Sequence, residues 1–206
     1  MSYKNLNVYF LFFENVMNST QNIVYKLYLC PQSQELKDKY LQSLQTDINF
    51  SGNSGFDIYI PEDTFINPGE TKVINHLIKT KMVKIDNDFT EIPVGYYIYS
   101  HSSICETPLT LPNHTSIIDI NYRDNIKVAF THNLNNDHLL YVMNNRNHIV
   151  YDNLLDQLNE NMKHKIQKHT RLLKICSPTL QPFRVEIVDT LDINDIADNG
   201  LDITDL

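Results

Sequence analysis

The feature that most constrains this chain is its density of short segments that alternate apolar with polar residues. They are rich in β-branched and aromatic types and are bounded by Pro, Gly, Asn and Asp. Such segments run at Val8–Phe13, Ile23–Leu29, Phe56–Ile60, Lys72–Ile74, Tyr97–Tyr99, Ile117–Ile120, Ile126–Phe130, Leu172–Cys176 and Arg184–Val188. Many short strands with few helices between them predict a mainly β chain, an antiparallel barrel or jelly roll. Two short helices interrupt the pattern. One spans Gln34–Leu44, with Leu36, Tyr40, Leu41 and Leu44 on one face and Ser33 at the N-cap. The other spans Asn153–Lys165, with Leu154, Leu155, Leu158 and Met162 as its stripe and Asp152 as cap. The Asn-rich stretch 133–147 reads as irregular, with Leu139–Met143 a short strand.

At 206 residues the chain accommodates one β domain with elaborations. Its expected parts are an N-terminal extension (1–22), the β domain (23–190) with an insertion at 133–165, and an acidic tail (191–206). The net charge of −8 and the lack of a basic stripe argue against nucleic acid as partner. The apolar runs are too short for a membrane-spanning helix, and Met1–Asn5 lacks a secretory layout. Cys30, Cys105 and Cys176 are scattered, as expected of reduced thiols in an intracellular compartment, with Cys105 and Cys176 half-buried and inert. The eight histidines show no ligand spacing and read as surface or loop groups; no metal ligand set is expected. The tail holds Asp192, Asp195, Asp198, Asp202 and Asp205 and no cation, which suits either a solvated tail or a short docking segment.

The chemistry concentrates in Leu111–Phe130. A strand rises to Asp119, turns around Asn121 and leaves through Tyr122 and Ile126. Such a hairpin offers backbone N–H and C=O groups to one edge of a pyrimidine. A carboxylate at its mouth can polarise a water, and Tyr122 can lie under a sugar ring. Upstream, the strand Pro93–Ser100 leads through His101 to two consecutive hydroxyls, Ser102 and Ser103, suited to phosphate oxygens. Ser54-Gly55-Phe56-Asp57-Ile58 places a carboxylate just after a glycine at a strand start, and Arg171-Leu172-Leu173-Lys174 supplies two cations on a later strand.

These four blocks, in this order, resemble the trimeric dUTPase family over about residues 23–191. The third is the most specific: Ser116-Ile117-Ile118-Asp119-Ile120-Asn121-Tyr122-Arg123-Asp124 is similar to the pattern Gly-[Ile/Val]-Ile-Asp-x-x-Tyr-[Arg/Lys/Gln]-Gly. The segments GYYIYSHSS, ETPLTLPN and RLLKICSPTLQPF look like dUTPases of large DNA viruses. The resemblance implies a dUTPase-like jelly-roll β-barrel, a homotrimer with sites between subunits, and Mg²⁺-dependent hydrolysis of dUTP to dUMP and pyrophosphate. Asp119 would orient or deprotonate the attacking water, Ser102 and Ser103 would hold phosphate oxygens, and Asn113 would help read uracil. Tyr122 would pack on deoxyribose, while Asp57, Arg171 and Lys174 would support the site. The Mg²⁺ would be held mainly through the triphosphate. An intracellular setting follows, cytoplasm or nucleus, including that of a virus-infected host cell.

The departures from the family pattern carry as much information as the matches. His101 stands where the pattern has Arg, so a one-donor ring replaces a permanently charged fork. Ser116, Asp124 and His169 replace glycines, and Lys174 replaces Gln. The closing arm, rich in Gly with an Arg and a Phe, has no counterpart in the acidic tail, whose carboxylates would repel a phosphate. The expectation is therefore a degenerate dUTPase-family protein, catalytically weak or inactive, acting as a trimeric interaction module or weak binder of dUTP or dUMP. The alternative is an active dUTP pyrophosphatase. The chemistry of the related dCTP deaminases is a weaker third idea, because the Arg and Glu it relies on cannot be placed here.

Overall fold

A computed structural model of the chain describes residues 24–46, 53–145, 156 and 159–191. The segment Val8–Phe13 and the tail from residue 192 lie outside the described residues.

The alternation read from the sequence becomes strands that bury every second side chain. Strand β1 (Val24–Pro31) turns Tyr25, Leu27 and Leu29 inward and Lys26 and Tyr28 outward. It pairs parallel with β13 (Phe183–Ile187) and antiparallel with β5 (Ile78–Ile85), which pairs in turn with β6 (Glu91–Val94). A second four-stranded sheet has the order β2 (Gly55–Tyr59), β12 (Arg171–Cys176), β7 (Tyr96–Ser100), β9 (Ser116–Ile118), all antiparallel. Strand β10 (Lys127–His132) lies between β4 (Thr71–Asn75) and β8 (Leu109–Thr110), and β3 (Thr64–Ile66) pairs with β11 (His164–Ile166). The molecule is mainly β, as expected. Its described strands are hydrogen-bonded in four sheets around one apolar core that includes Leu27, Ile58, Ile98, Phe130 and Ile175.

Two joints connect this framework to the candidate site. Gly95 lies between β6 and β7, where a Cβ would stand 3.1 Å from the Ile118 carbonyl oxygen. Directly after it, the buried Tyr96 hydroxyl is hydrogen-bonded to Thr80 on β5. The other joint is helix α1 (Gln34–Thr46), which starts as expected: Ser33 Oγ accepts from Leu36 N at 3.3 Å. Leu36 and Tyr40 are buried, whereas Leu41, expected on the same face, is 39% exposed. Tyr40 packs on Phe56 and Tyr59, and its hydroxyl accepts from Tyr59 N at 3.2 Å. The helix thus backs the strand that carries Asp57.

Four expectations need correction. Residues 139–143 are not a strand: they belong to helix α2 (Asn136–Asn145), because Asn135 Oδ1 caps it by accepting from Asp137 N and His138 N at 3.1 and 3.2 Å. The helix expected at Asn153–Lys165 ends earlier. Residues 159–162 are helical, but His164–Ile166 pairs with Thr64–Ile66 as β11; residues 153–155 lie outside the described set. The histidines are not all surface groups, since His76, His132 and His138 are buried. Among the cysteines, Cys30 and Cys176 are buried and Cys105 is exposed rather than half-buried. Burial pushes the Cys176 thiol upward, so it stays protonated and unreactive. Among the described residues no helix is long and apolar enough to cross a membrane.

Candidate functional site

The first, second and fourth sequence blocks meet on one end of the β2–β12–β7–β9 sheet. Register explains why: Lys174 on β12 pairs with Asp57 on one side and with Tyr99 on the other. Asp57 is the hub. Its Oδ2 accepts from Arg171 Nη1 at 3.1 Å, and its Oδ1 lies 3.3 Å from Lys174 Nζ. Gly55 makes this possible. The Lys174 stem crosses it so closely that a Cβ there would lie 2.6 Å from Lys174 Cδ and 2.8 Å from Cys176 Sγ. One carboxylate set between two cations leaves a net positive charge on this end of the sheet, the sign a phosphate requires.

His101 occupies the departure from the Arg pattern in a defined way. Its Nδ1 accepts from Ser103 N at 3.1 Å and caps the 3₁₀ turn Ser102–Glu106. The proton of the neutral ring therefore sits on Nε2, which faces Asp57 Oδ1 at 3.9 Å. Ser103 Oγ lies 2.9 Å from His101 Nδ1 and donates to the Arg171 carbonyl, tying the turn to β12. Ser102 is exposed beside it.

The third block is split by its strand. Asn113 lies on the tight turn before β9, where His114 N donates to the Leu111 carbonyl and His114 adopts φ of 55°. Asn113 Nδ2 donates to Ser116 Oγ at 3.1 Å. This turn borders a groove of about 620 Å³ lined by Ser100, Ile104, Leu109, Leu111, Pro112 and His114. Asp119 lies at the other end. Strand β9 runs antiparallel to β7, with Ser116 opposite Ile98 and Ile118 opposite Tyr96. Asp119, the next residue, is therefore separated from Ser102, Ser103 and Arg171 by the length of β7, roughly 13 Å from Tyr96 to Ser100 at strand rise.

Asp119 is exposed, and its carbonyl accepts from Tyr122 N at 3.1 Å to close the turn. Tyr122 packs its ring against the core, with its hydroxyl donating to the Asn125 carbonyl at 2.7 Å. Arg123, which the sequence reading did not single out, braces this turn by donating through Nη1 to the Ile120 and Tyr122 carbonyls at 2.9 and 2.8 Å. Its signal in the sequence was its place beside Tyr122, but a lone cation there reads equally well as solvated.

The replaced glycines resolve cleanly. Among the described residues, the positive-φ positions are Gly69, Leu77, Phe89, His114, His169 and Leu180. Ser116 and Asp124 are not among them, so a side chain there carries no backbone strain. His169 is, at φ 65°, in the turn where Thr170 N donates to the Gln167 carbonyl.

No protein-family model matches the chain, and no curated protein matches it. Among solved structures it is similar to dUTPases. The dUTPase of Streptococcus mutans is 15% identical, with a TM-score of 0.39 over 65% of this chain and 80% of that one. The native EIAV dUTPase is 15% identical, with a TM-score of 0.39 over 85% of this chain and 100% of that one. A point mutant of the Staphylococcus bacteriophage 80alpha dUTPase is 16% identical, with a TM-score of 0.44 over 81% of this chain and 96% of that one.

Proposed function

We propose that this chain is a dUTPase-family protein that binds a deoxyuridine nucleotide between copies of itself, with little or no turnover. The observation that carries this reading is the division of the four blocks between the two ends of β7. Asp57, Ser102, Arg171 and Lys174 form a phosphate-suited end. Asp119 forms a separate end that offers a carboxylate, with the half-buried Tyr122 beside it in the same turn. A general base must come within hydrogen-bond reach of the water it activates. Two ends a strand apart meet on one triphosphate when the Asp119 end of one copy faces the phosphate end of another. Ile117 and Ile120, 70% and 48% exposed beside Asp119, supply apolar surface for such a contact. A homotrimer is the symmetric way of closing this head-to-tail arrangement that the family resemblance implies.

Weak catalysis follows from what stands in the site. His101 contributes a neutral cap in place of a charged fork. Ser103's hydroxyl is committed to the Arg171 carbonyl. In sequence, the tail holds five aspartates and no Lys or Arg, so it lacks the cation that a closing clamp needs. Among the described residues no three His, Cys, Asp or Glu side chains stand as a ligand set, and the site's one central carboxylate, Asp57, is paired with two cations. A Mg²⁺ would therefore arrive on the triphosphate oxygens, where it would neutralise charge. The second reading, an active dUTP pyrophosphatase, is favoured by the exposed carboxylate of Asp119 at the hairpin mouth.

Incubation of the purified chain with dUTP and Mg²⁺, with pyrophosphate as readout, separates the two. The proposal expects turnover orders of magnitude below that of an ordinary dUTPase, together with saturable binding of a non-hydrolysable dUTP analogue. Rapid turnover that vanishes in Asp119→Asn would establish the second reading. Absence of both turnover and binding would reject both.

A further inference from the structure

Three histidines from three elements meet where the insertion joins the β framework. His132 ends β10, His138 lies in the first turn of α2, and His164 begins β11. The rings of His138 and His164 stand 5.4 and 6.0 Å from that of His132, centroid to centroid and edge to face. His132 and His138 are only 2% and 4% exposed.

Their hydrogen bonds fix their tautomers. His132 Nδ1 faces the Ile66 carbonyl at 3.1 Å; a carbonyl only accepts, so Nδ1 holds the proton and Nε2 is bare. His138 Nδ1 accepts from Asn135 N at 2.9 Å, so here Nδ1 is bare and Nε2 holds the proton. This arrangement argues against a metal. Ligation through His138 Nε2 would move its proton to Nδ1, where the Asn135 N–H already points. What remains is a neutral pair of opposite tautomers. A second proton on His138 collides with the N–H that caps its own helix, and one on His132 places a cation in a buried position between two other rings.

The surroundings offer such a charge little relief. Asp137 is exposed beside His138 on α2. The Glu70 carboxylate, before β4, accepts from Asn67 N at 2.8 Å. Lys72 on β4 donates to the Phe65 carbonyl, Lys163 pairs with Glu160, and Lys165 on β11 pairs with Asp63. Among the described residues no carboxylate pairs with any of the three rings. His138 is also the one buried side chain described on α2, whose Leu139, Leu140 and Met143 are exposed. Docking of the helix therefore rests on this contact together with the Tyr141 hydroxyl, which accepts from Asn161 Nδ2 at 3.0 Å.

We propose that His132, His138 and His164 form a proton-operated latch that holds α2 on the β framework while all three are neutral and releases it when they charge. Burial, then the neighbouring His132, holds the His164 ring below the ordinary histidine value, in keeping with a cluster that resists charging. The sign is fixed by this preference for the neutral form. The latch is closed while the rings are neutral and weakens as the pH is lowered.

The test is amide hydrogen exchange on the full chain between pH 7.5 and 5.0, with rates corrected for intrinsic pH dependence. The expected result is at least a tenfold loss of protection in α2, while β7 and β12 keep theirs. In His138→Gln, whose side-chain oxygen can still accept from Asn135 N, the pH response of α2 protection should shrink at least threefold. Ring NMR of the unaltered protein over the same range provides a second readout that needs no variant: His138 should titrate together with the loss of α2 protection. Protection of α2 that is independent of pH, a His138 titration that leaves α2 unaffected, or an unchanged pH response in His138→Gln would each overturn the latch.

Discussion

His76 shows what one buried ring does to the whole chain. It is fully enclosed, with Nδ1 donating to the Tyr59 carbonyl at 3.2 Å and Nε2 buried without a described partner. Burial drives its pKa down to about 4. The unfolded chain thus takes up a proton near pH 6.5 that the folded chain refuses until about pH 4, so stability falls across that window. The loss amounts to about 3 kcal/mol once both states are protonated. Urea unfolding at pH 7.5 and 4.5 samples most of it, and His76→Phe should remove this share of the pH response while leaving the share that His164 contributes. His169 offers a second check at this scale. Its φ of 65° suits glycine, so His169→Gly should relieve about 1 kcal/mol of backbone strain. The edge contact with Tyr59, at 6.2 Å between ring centroids, offsets part of that gain. A higher urea midpoint for the variant is the expected outcome.

At the scale of elements, the candidate site is only as firm as the supports beneath β2 and β12. Tyr40 on α1 is the support for β2. Tyr40→Phe leaves the buried Tyr59 N–H without its acceptor and should cost about 1–3 kcal/mol in chemical denaturation. Ser103→Ala removes the hydroxyl that ties the 3₁₀ turn to the Arg171 carbonyl and should cost about 1 kcal/mol. Strands with clean β-branched or aromatic alternation, such as β1, β7, β10 and β12, were legible from the sequence because their pattern is also their burial. Strand β5 was not. Its alternation holds only from Ile78 to Met82 and breaks at the buried Val83, while Lys79, Lys81 and Lys84 lower its β propensity. Strand β6 contains Pro93 and lies at a sheet edge, where a missing N–H is tolerated. Helix α2 was misread because its Asn-rich sequence has weak helix propensity, and the Asn135 cap that starts it is a local geometric event. The candidate residues were named from their motifs, and the structure adds the ion pair between Asp57 and Arg171. The role of His101 as a cap, the Gly55–Lys174 crossing and the Arg123 brace depend on three-dimensional register, which no spacing encodes.

At the scale of the molecule, β7 separates the Asp57–Arg171–Lys174 cluster from Asp119, and in the proposed reading these are two half-sites. Its length keeps Asp119 away from the phosphate-suited end, so the account requires a second copy of the chain to complete the site. The net charge of −8 contrasts with the positive end around Arg171 and Lys174, where the proposed nucleotide would be attracted rather than repelled. Binding should therefore weaken as salt is raised. Calorimetric titrations at low and high ionic strength check this, and an affinity indifferent to salt would separate the ligand from that cluster.

The most direct measurement is calorimetry with a non-hydrolysable dUTP analogue at protein concentrations above and below the point where light scattering shows the chain to self-associate. The account predicts saturable binding, one nucleotide per chain, in the associated protein and none in the separated chain. Equal binding by a lone chain, or an associated protein that takes up no nucleotide, would contradict it.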